Sequence, residues 1–162
     1  MNQSSKAADK VKQPVREYLT FRLDQEEYGV EILKVQEIRG YEQPTRIANA
    51  PDFIKGVINL RGTIVPIIDM RVRFQCPQSE YNQFTVVIIL NLRDRVVGIV
   101  VDSVSDVMAL PLDAISPAPD IESVIDTGAI VGLGSVGERM LILLDIEKLM
   151  GNVDMGLVAP QV

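Results

Sequence analysis

Two blocks of this sequence each occur twice, and the duplication limits the folds that the chain can adopt. Residues 19–38, LTFRLDQEEYGVEILKVQEI, align without a gap on residues 88–107, IILNLRDRVVGIVVDSVSDV. Residues 56–74 align in the same way on residues 132–150. A chain with such repeats is expected to fold as two similar units. The shared residues of the first block are Gly29, Val30, Ile32, Val35, Glu37 and Ile38 in one copy and Gly98, Ile99, Val101, Val104, Asp106 and Val107 in the other.

Short apolar or alternating runs rich in valine and isoleucine dominate the chain, and such runs predict strands. Turn residues separate them, and the segments 24–27 and 93–95 are expected to be hairpin loops. Short helices are predicted near 51–55, 70–75 and 146–150. The ten predicted strands cover residues 17–23, 27–31, 37–47, 56–61, 63–69, 84–92, 95–101, 106–110, 132–136 and 139–145.

The repeat and the strands together predict an all-β fold of two small barrels. A single sheet of about five strands is too small to cover both of its faces, so we expect each unit to curl and to pack against the other. The first barrel is predicted over about 16–75 and the second over about 82–150, with a groove of apolar side chains between them. Residues 1–15 are predicted to be a disordered polar arm, and residues 151–162 a C-terminal tail.

Composition restricts the function. The chain has 162 residues, no histidine and a formal net charge of −6. Without histidine there are no Ser-His-Asp or Cys-His nucleophile systems, and most zinc sites are excluded, so an enzyme is disfavoured. The acidic charge argues against nucleic acid and anionic lipid as main partners. A single cysteine, Cys76, agrees with a reducing cytosol, and no apolar run approaches the roughly 20 residues that span a bilayer.

Arg61 interrupts the apolar stretch GVINLRGTIVPIIDM at residues 56–70. Two interpretations stay open: a hairpin turn in which Gly62 has positive φ and the arginine points into solvent, and a role specific to the first unit. The second copy has Val-Gly-Glu-Arg at the matching place, so the turn itself does not require an arginine. We predict that Arg61 pairs with Glu37, and that breaking this pair costs several kcal/mol if the pair is partly buried.

Two aspartates, Asp69 and Asp145, occupy matching places where a strand ends and a short amphipathic turn follows. We expect each to cap that turn with its side-chain oxygen. A paired-carboxylate active site is the competing interpretation, and it is disfavoured because the two residues belong to different copies. The glycine-rich segment 132–137 lacks the Gly-Lys-Ser/Thr ending of a phosphate-binding loop, so no nucleotide cofactor is expected.

The ordered combination of YGVEILKVQEI, FIKGVINLRG and PIIDMR resembles the CheW family of bacterial chemotaxis coupling proteins. The resemblance covers about residues 16–150 and continues through RVVGIVVDSVSDV and ERMLILLDIEKL. It implies a cytoplasmic adaptor without catalytic activity, cofactor or metal, built of two SH3-like five-stranded β-barrels. Such an adaptor links the cytoplasmic tips of methyl-accepting chemoreceptors to the regulatory domain of the histidine kinase CheA.

The resemblance also implies which residues meet each partner. A receptor-facing groove between the barrels is expected to use Val30, Ile32, Val35, Glu37, Ile38, Ile99 and Val104. A kinase-facing surface is expected around Gly40, Tyr41, Thr45, Gly56 and Arg61. The alternative function is a small-molecule-binding, enzymatic or regulatory β-barrel. It is disfavoured because the strand interiors are valine, isoleucine and leucine almost throughout, without convergent polar groups.

Overall fold

The computed structural model of the chain describes residues 14–77, 80–93, 95–117 and 127–151. The predicted arm over 1–15 and the predicted tail over 151–162 lie almost entirely outside these residues. The strands are β1 (Val15–Leu23), β2 (Glu26–Glu31), β3 (Val35–Gly40), β4 (Ile54–Leu60), β5 (Thr63–Asp69), β6 (Val86–Asn91), β7 (Val96–Val101), β8 (Ser103–Pro111), β9 (Ile115–Ser116), β10 (Ile130–Val136) and β11 (Arg139–Leu144). The helices are α1 (Met70–Arg73) and α2 (Ile146–Gly151), with 3₁₀ turns at Ile32–Lys34, Leu112–Ala114 and Thr127–Ala129.

All ten predicted strands are present, and the short β9 is an addition. The strand predicted over 37–47 is shorter than expected, because β3 ends at Gly40. Beyond it the chain is irregular, except for a single antiparallel bridge between Thr45 and Val57.

The helix predicted near 51–55 is wrong. The Ile54 N–H donates to the carbonyl oxygen of Pro51 at 3.0 Å in a turn, and β4 begins at this residue. The Asp69 N–H then donates to the carbonyl oxygen of Phe53 at 2.7 Å, which ties the segment to β5. The other two predicted helices form as α1 and α2.

The strands form two sheets. Sheet one has the order β8-β1-β2-β11-β10-β9, and sheet two has the order β3-β6-β7-β5-β4. Neighbouring strands are antiparallel except for β2 with β11 and β5 with β7, which are parallel. The repeat matches β1 with β6, β2 with β7, β3 with β8, β4 with β10 and β5 with β11. In each sheet, therefore, the first two strands of one copy lie beside the last three strands of the other.

This exchange of strands corrects the predicted division of the chain. A barrel over 16–75 and another over 82–150 would keep each copy in one sheet, but both sheets contain strands from both halves. The predicted mostly β architecture of two packed units, each of about five strands, is confirmed. Among the described residues, no helix is long and apolar enough to cross a membrane.

A repeated glycine allows the parallel pairing that joins the two copies. Gly29 on β2 lies opposite Leu143 on β11, and a Cβ on this glycine would lie 3.0 Å from the leucine side chain. Gly98 on β7 lies opposite Ile67 on β5 in the same way, and there the distance would be 2.7 Å. Any larger residue would force the facing side chain to shift. Both copies of the repeat thus have a glycine at this position because the facing strand packs closely against it.

The largest group of buried apolar side chains is continuous between the two sheets. It joins Phe21 and Val30 of sheet one to Ile88 and Ile99 of sheet two. Alternate residues of β6 point the other way, so that Val87 packs in a smaller cluster within sheet two. Because β6 is buried on both faces, its sequence is a continuous apolar run rather than an alternating one.

Candidate interaction surfaces

The hairpin between β4 and β5 has a two-residue turn whose central residues both have positive φ. The φ angles are 52° at Arg61 and 90° at Gly62, which is the type I′ geometry favoured in tight hairpins. The side-chain oxygen of Asn59 accepts the Gly62 N–H at 2.8 Å. The left-handed conformation is uncommon for a residue with a side chain, and the matching residue of the second copy is Gly137. The arginine is therefore not there to suit the turn.

The predicted contact between Arg61 and Glu37 is confirmed. The Arg61 guanidinium Nη2 lies 2.8 Å from Glu37 Oε1. The arginine side chain is 67% exposed and the glutamate side chain 29% exposed, so the pair is not buried. A pair this accessible stabilises the fold by about 1 kcal/mol or less, and the several kcal/mol considered for a buried pair do not apply. The contact joins β3, one edge of sheet two, to the hairpin that contains β4, the other edge.

The second copy has an equivalent contact, so the pairing is not specific to the first. Asp106 matches Glu37, and its carboxylate lies 3.2 Å from both Nη1 and Nη2 of Arg139. This arginine also binds Glu27 through two hydrogen bonds of 3.0 and 2.6 Å. Hydrogen bonds from Arg139 hold the pKa values of the Glu27 and Asp106 carboxyls below their ordinary values. In each sheet, therefore, an acid on an edge strand is bound by an arginine of a hairpin: Glu37 of β3 by the β4–β5 hairpin, and Asp106 of β8 by the β10–β11 hairpin.

Exposed apolar side chains accompany both contacts. In the first copy these are Ile38, 44% exposed, and Ile64, 60% exposed. The matching residues of the second copy are Val107 and Met140, and they are 49% and 53% exposed. Exposed apolar residues at matched places, together with charged groups, are typical of surfaces that bind other proteins.

The residues predicted to line a receptor groove fall into two groups. Val30 and Ile99 have no exposed surface and belong to the core between the sheets, so the prediction that they face a partner needs correction. They are buried because their side chains pack in the core cluster that contains residues of both sheets. The other members remain accessible or half-buried: Ile32, Val35 and Val104 pack partly on the shared core, Glu37 is partly exposed, and Ile38 is exposed.

Gly56, predicted to face the kinase, is buried and serves the scaffold instead. Its φ is 143°, and a Cβ added there would overlap the carbonyl oxygen of Thr45. The close approach lets Thr45 and Val57 exchange two backbone hydrogen bonds of 2.9 Å. Gly132 approaches the carbonyl oxygen of Ser116 in the second copy.

The remaining residues of the predicted kinase-facing surface are accessible. Gly40, Thr45 and Arg61 are exposed, and Tyr41 is half-buried. Thr45 and Tyr41 belong to the irregular segment between β3 and β4.

The capping prediction for the two aspartates is confirmed. Asp69 Oδ1 accepts the Arg71 N–H at 3.0 Å, and Asp145 Oδ1 accepts the Lys148 N–H at 3.1 Å. Asp69 ends β5 and Asp145 follows β11; these strands belong to different sheets, so the two carboxylates do not form a paired site.

Sequence reasoning missed a buried ionic network around Arg71. The arginine side chain is 1% exposed, and Nε and Nη2 each lie 3.0 Å from a carboxylate oxygen of Asp69, which is 0% exposed. Nη1 donates to the Glu80 carbonyl oxygen at 2.6 Å and to Asp102 at 3.2 Å. The Tyr81 hydroxyl donates to Asp69 at 3.0 Å. No sequence signal separates this arginine from Arg73, which is only half-buried.

The chain passes from one sheet to the other twice, and an ion pair lies at each crossing. After β7, Asp102 binds Arg71 of α1, and its other oxygen accepts the Asp24 N–H at 2.7 Å. After β2, Lys34 binds Glu147 of α2 at 2.9 Å. The repeat matches Arg71 with Glu147, so the sign of the charge is reversed between the copies.

Glu147 also accepts the N–H of Arg93 in the β6–β7 turn, at 3.0 Å. Burial raises the pKa of Glu147, but the hydrogen bonds from Lys34 and from this N–H outweigh it and hold the pKa below its ordinary value.

Comparison with known proteins identifies the family. The family described as CheW-like domain matches residues 17–154. The chain belongs to the CheW-like family. A relative from Klebsiella aerogenes, named chemotaxis protein CheW, is 61% identical over 143 residues, which cover 88% of this chain and 86% of the relative. A protein of the same name from Rhizobium meliloti is 36% identical and aligns over 82% of this chain and 86% of its own length.

A solved CheW structure has the same fold. The scaffolding protein TtCheW from Thermoanaerobacter tengcongensis superimposes with a TM-score of 0.77 at 30% identity. The match covers 86% of this chain and 90% of that protein. The CheW-like family is thus one of chemotaxis scaffold or adaptor proteins, and the all-β architecture described above is shared within it.

Proposed function

We propose that this chain is a non-catalytic adaptor that couples chemoreceptors to the histidine kinase CheA at receptor arrays in the cytoplasm. The observation that carries the proposal is the exposed Glu37–Arg61 pair of a CheW-like chain, accompanied by the exposed apolar residues Ile38 and Ile64. Charged groups at the rim of an interface set partner choice and association rate, and apolar side chains supply contact area. An arginine kept in a left-handed backbone conformation is better explained by such a contact than by the turn.

The receptor contact is assigned to the accessible part of the predicted groove. Ile32, Val35 and Val104 are half-buried against the core, and Glu37 and Ile38 on β3 lie beyond them. Partly covered aliphatic side chains beside an acid suit the apolar face of a helix with flanking charges. The receptor tip, a helical hairpin, has that chemistry.

The kinase contact is assigned to accessible residues at the end of β3, in the irregular segment that follows it and in the β4–β5 turn. Gly40, Tyr41, Thr45 and Arg61 lie on sheet two or beside it, and all keep accessible surface. The regulatory domain of CheA is the proposed occupant. The adaptor thus transmits receptor state to the kinase through contacts alone.

Ternary assembly tests the proposal. The purified chain is mixed with receptor-bearing membranes and CheA, and both the sedimented kinase and its autophosphorylation are measured. We expect the unaltered chain to recruit and activate the kinase, and Arg61→Ala and Glu37→Ala each to reduce both. Arg16→Ala is the matched control, because Arg16 and Glu31 form another exposed pair at 3.4 Å. Failure of the unaltered chain to bind either partner would defeat the adaptor proposal.

A further inference from the structure

A cavity of about 720 Å³ opens beside Tyr41, at the surface that the proposed function assigns to the kinase. The irregular segment between β3 and β4 forms most of it, and Val72 and Tyr81 close the other side. Its volume lies within the range of roughly 300–1,000 Å³ that is typical of ligand pockets. Neither the repeat nor the family resemblance assigned it a role.

One wall of the cavity is fixed by the buried ionic network. The rings of Tyr41 and Tyr81 stack with their centroids 4.1 Å apart and an interplanar angle of 16°. The Tyr81 hydroxyl binds Asp69, and the guanidinium carbon of Arg71 lies 4.8 Å from the Tyr81 ring centroid. Since Asp69 and Arg71 are fully buried, the tyrosine pair is held from inside the fold. A wall that is already ordered loses little conformational entropy when a ligand binds.

The rest of the lining combines positive charge with apolar surface. Arg46 and Lys55 both line the cavity, and neither has an ion pair with any described residue. Among the described residues of the lining, Asp52 is the one acid. Ile47, which is 49% exposed, and Pro51 add apolar area. A protein whose formal net charge is −6 thus presents unpaired cations around its aromatic cavity.

We propose that this cavity receives a short acidic segment of a protein partner. A carboxylate of the segment binds Arg46 and Lys55, and a neighbouring apolar side chain packs on the Tyr41–Tyr81 pair. Charge complementarity selects an acidic occupant, and the exposed Ile47 at the opening suits a polypeptide that continues beyond the cavity. This inference rests on the proposed function, under which the regulatory domain of CheA supplies the segment.

Charge reversal tests the electrostatic part. The purified regulatory domain is titrated by calorimetry, at several salt concentrations, into the unaltered chain and into the double variant Arg46→Glu/Lys55→Glu. We expect binding at least about tenfold weaker and a smaller dependence on salt. The control Arg22→Glu/Lys148→Glu makes the same change in net charge at two exposed cations outside the cavity.

A photo-reactive amino acid in place of Ile47 tests the occupant directly. We expect it to cross-link to a segment of the regulatory domain that contains aspartate or glutamate, identified by mass spectrometry. Tyr81→Phe keeps the ring but loses the bond to Asp69, so we expect weaker binding without loss of folding. If the unaltered chain does not bind the domain, the proposed function fails as well. If it binds and the cavity reversal weakens binding no more than the control does, or if the cross-link maps to no acidic segment, only the inference is overturned.

Discussion

Replacing Arg71 by methionine should destabilise this fold far more than replacing Arg61 by methionine. Both arginines bind a carboxylate, but the Arg71 pair is almost completely buried and the Arg61 pair is exposed. Methionine keeps most of the apolar volume of the Arg71 side chain. The main loss is therefore ionic: Asp69 keeps the main-chain N–H of residue 71 and the Tyr81 hydroxyl, but loses two charged donors at 3.0 Å.

The magnitude follows from burial. Breaking a fully buried pair by removing one partner leaves an uncompensated charge and costs about 3–5 kcal/mol. The Glu80 carbonyl oxygen, 2.6 Å from Nη1, loses its donor as well. An exposed pair such as that of Arg61 contributes about 1 kcal/mol or less. Arg71→Met should therefore lower the free energy of unfolding by roughly three times as much as Arg61→Met, or more.

Equilibrium unfolding in urea, followed by circular dichroism, measures both values. The double variant Asp69→Asn/Arg71→Met removes both charges, so it should lose less than the sum of its single variants. A loss below about 1 kcal/mol for Arg71→Met, or additive effects in the double variant, would refute the argument from burial.

Two further predictions concern the acid–arginine contact of sheet one and the close approach at β4. Arg139→Gln should raise the pKa values of Glu27 and Asp106 toward their ordinary range near 4, as carboxyl-carbon NMR titration would detect. Because both pKa values are lowered in the fold, their stabilisation is present above that range and is lost as the pH falls through it. The variant should lose the part of this acid dependence that Arg139 supplies. Gly56→Ala should destabilise the fold by more than about 2 kcal/mol, whereas Gly62→Ala, where a Cβ meets open space, should cost only about 1 kcal/mol in urea unfolding. Equal effects of the two alanines would contradict the packing argument.

The sequence predicted the strands well because each is a local apolar pattern bounded by turn residues. It did not predict which strands share a sheet. The repeat shows which strands of the two copies are equivalent, but it does not show whether a strand pairs with its own copy or with the other one. Gly29 and Gly98 were recognised as matching, but their role in parallel pairing depends on Leu143 and Ile67 from distant strands. Non-local pairing of this kind leaves no signal within either repeat.

The candidate surfaces were predicted only in part for the same reason. The contact between Glu37 and Arg61 was inferred because both residues flank the groove-forming strands of the first unit and each otherwise lacks a partner there, and it is present. The equivalent contact was missed because Arg139 is two residues beyond the position that matches Arg61, where the second copy has Gly137. A long arginine side chain reaches the same edge strand from either position.

Under the proposed function the chain holds two partners, and the exchange of strands has a consequence for that role. Each sheet contains strands from both copies, so neither copy can complete a sheet on its own. The two crossings between the sheets are further held by Arg71 with Asp102 and by Glu147 with Lys34. Two barrels joined by a simple linker would be free to turn against each other, and contacts on one would carry little to the other. Here the core is continuous between the sheets, so the acid–arginine contacts of both copies are kept at one fixed spacing. That rigidity is what a protein needs if it transmits a signal by position and without chemistry.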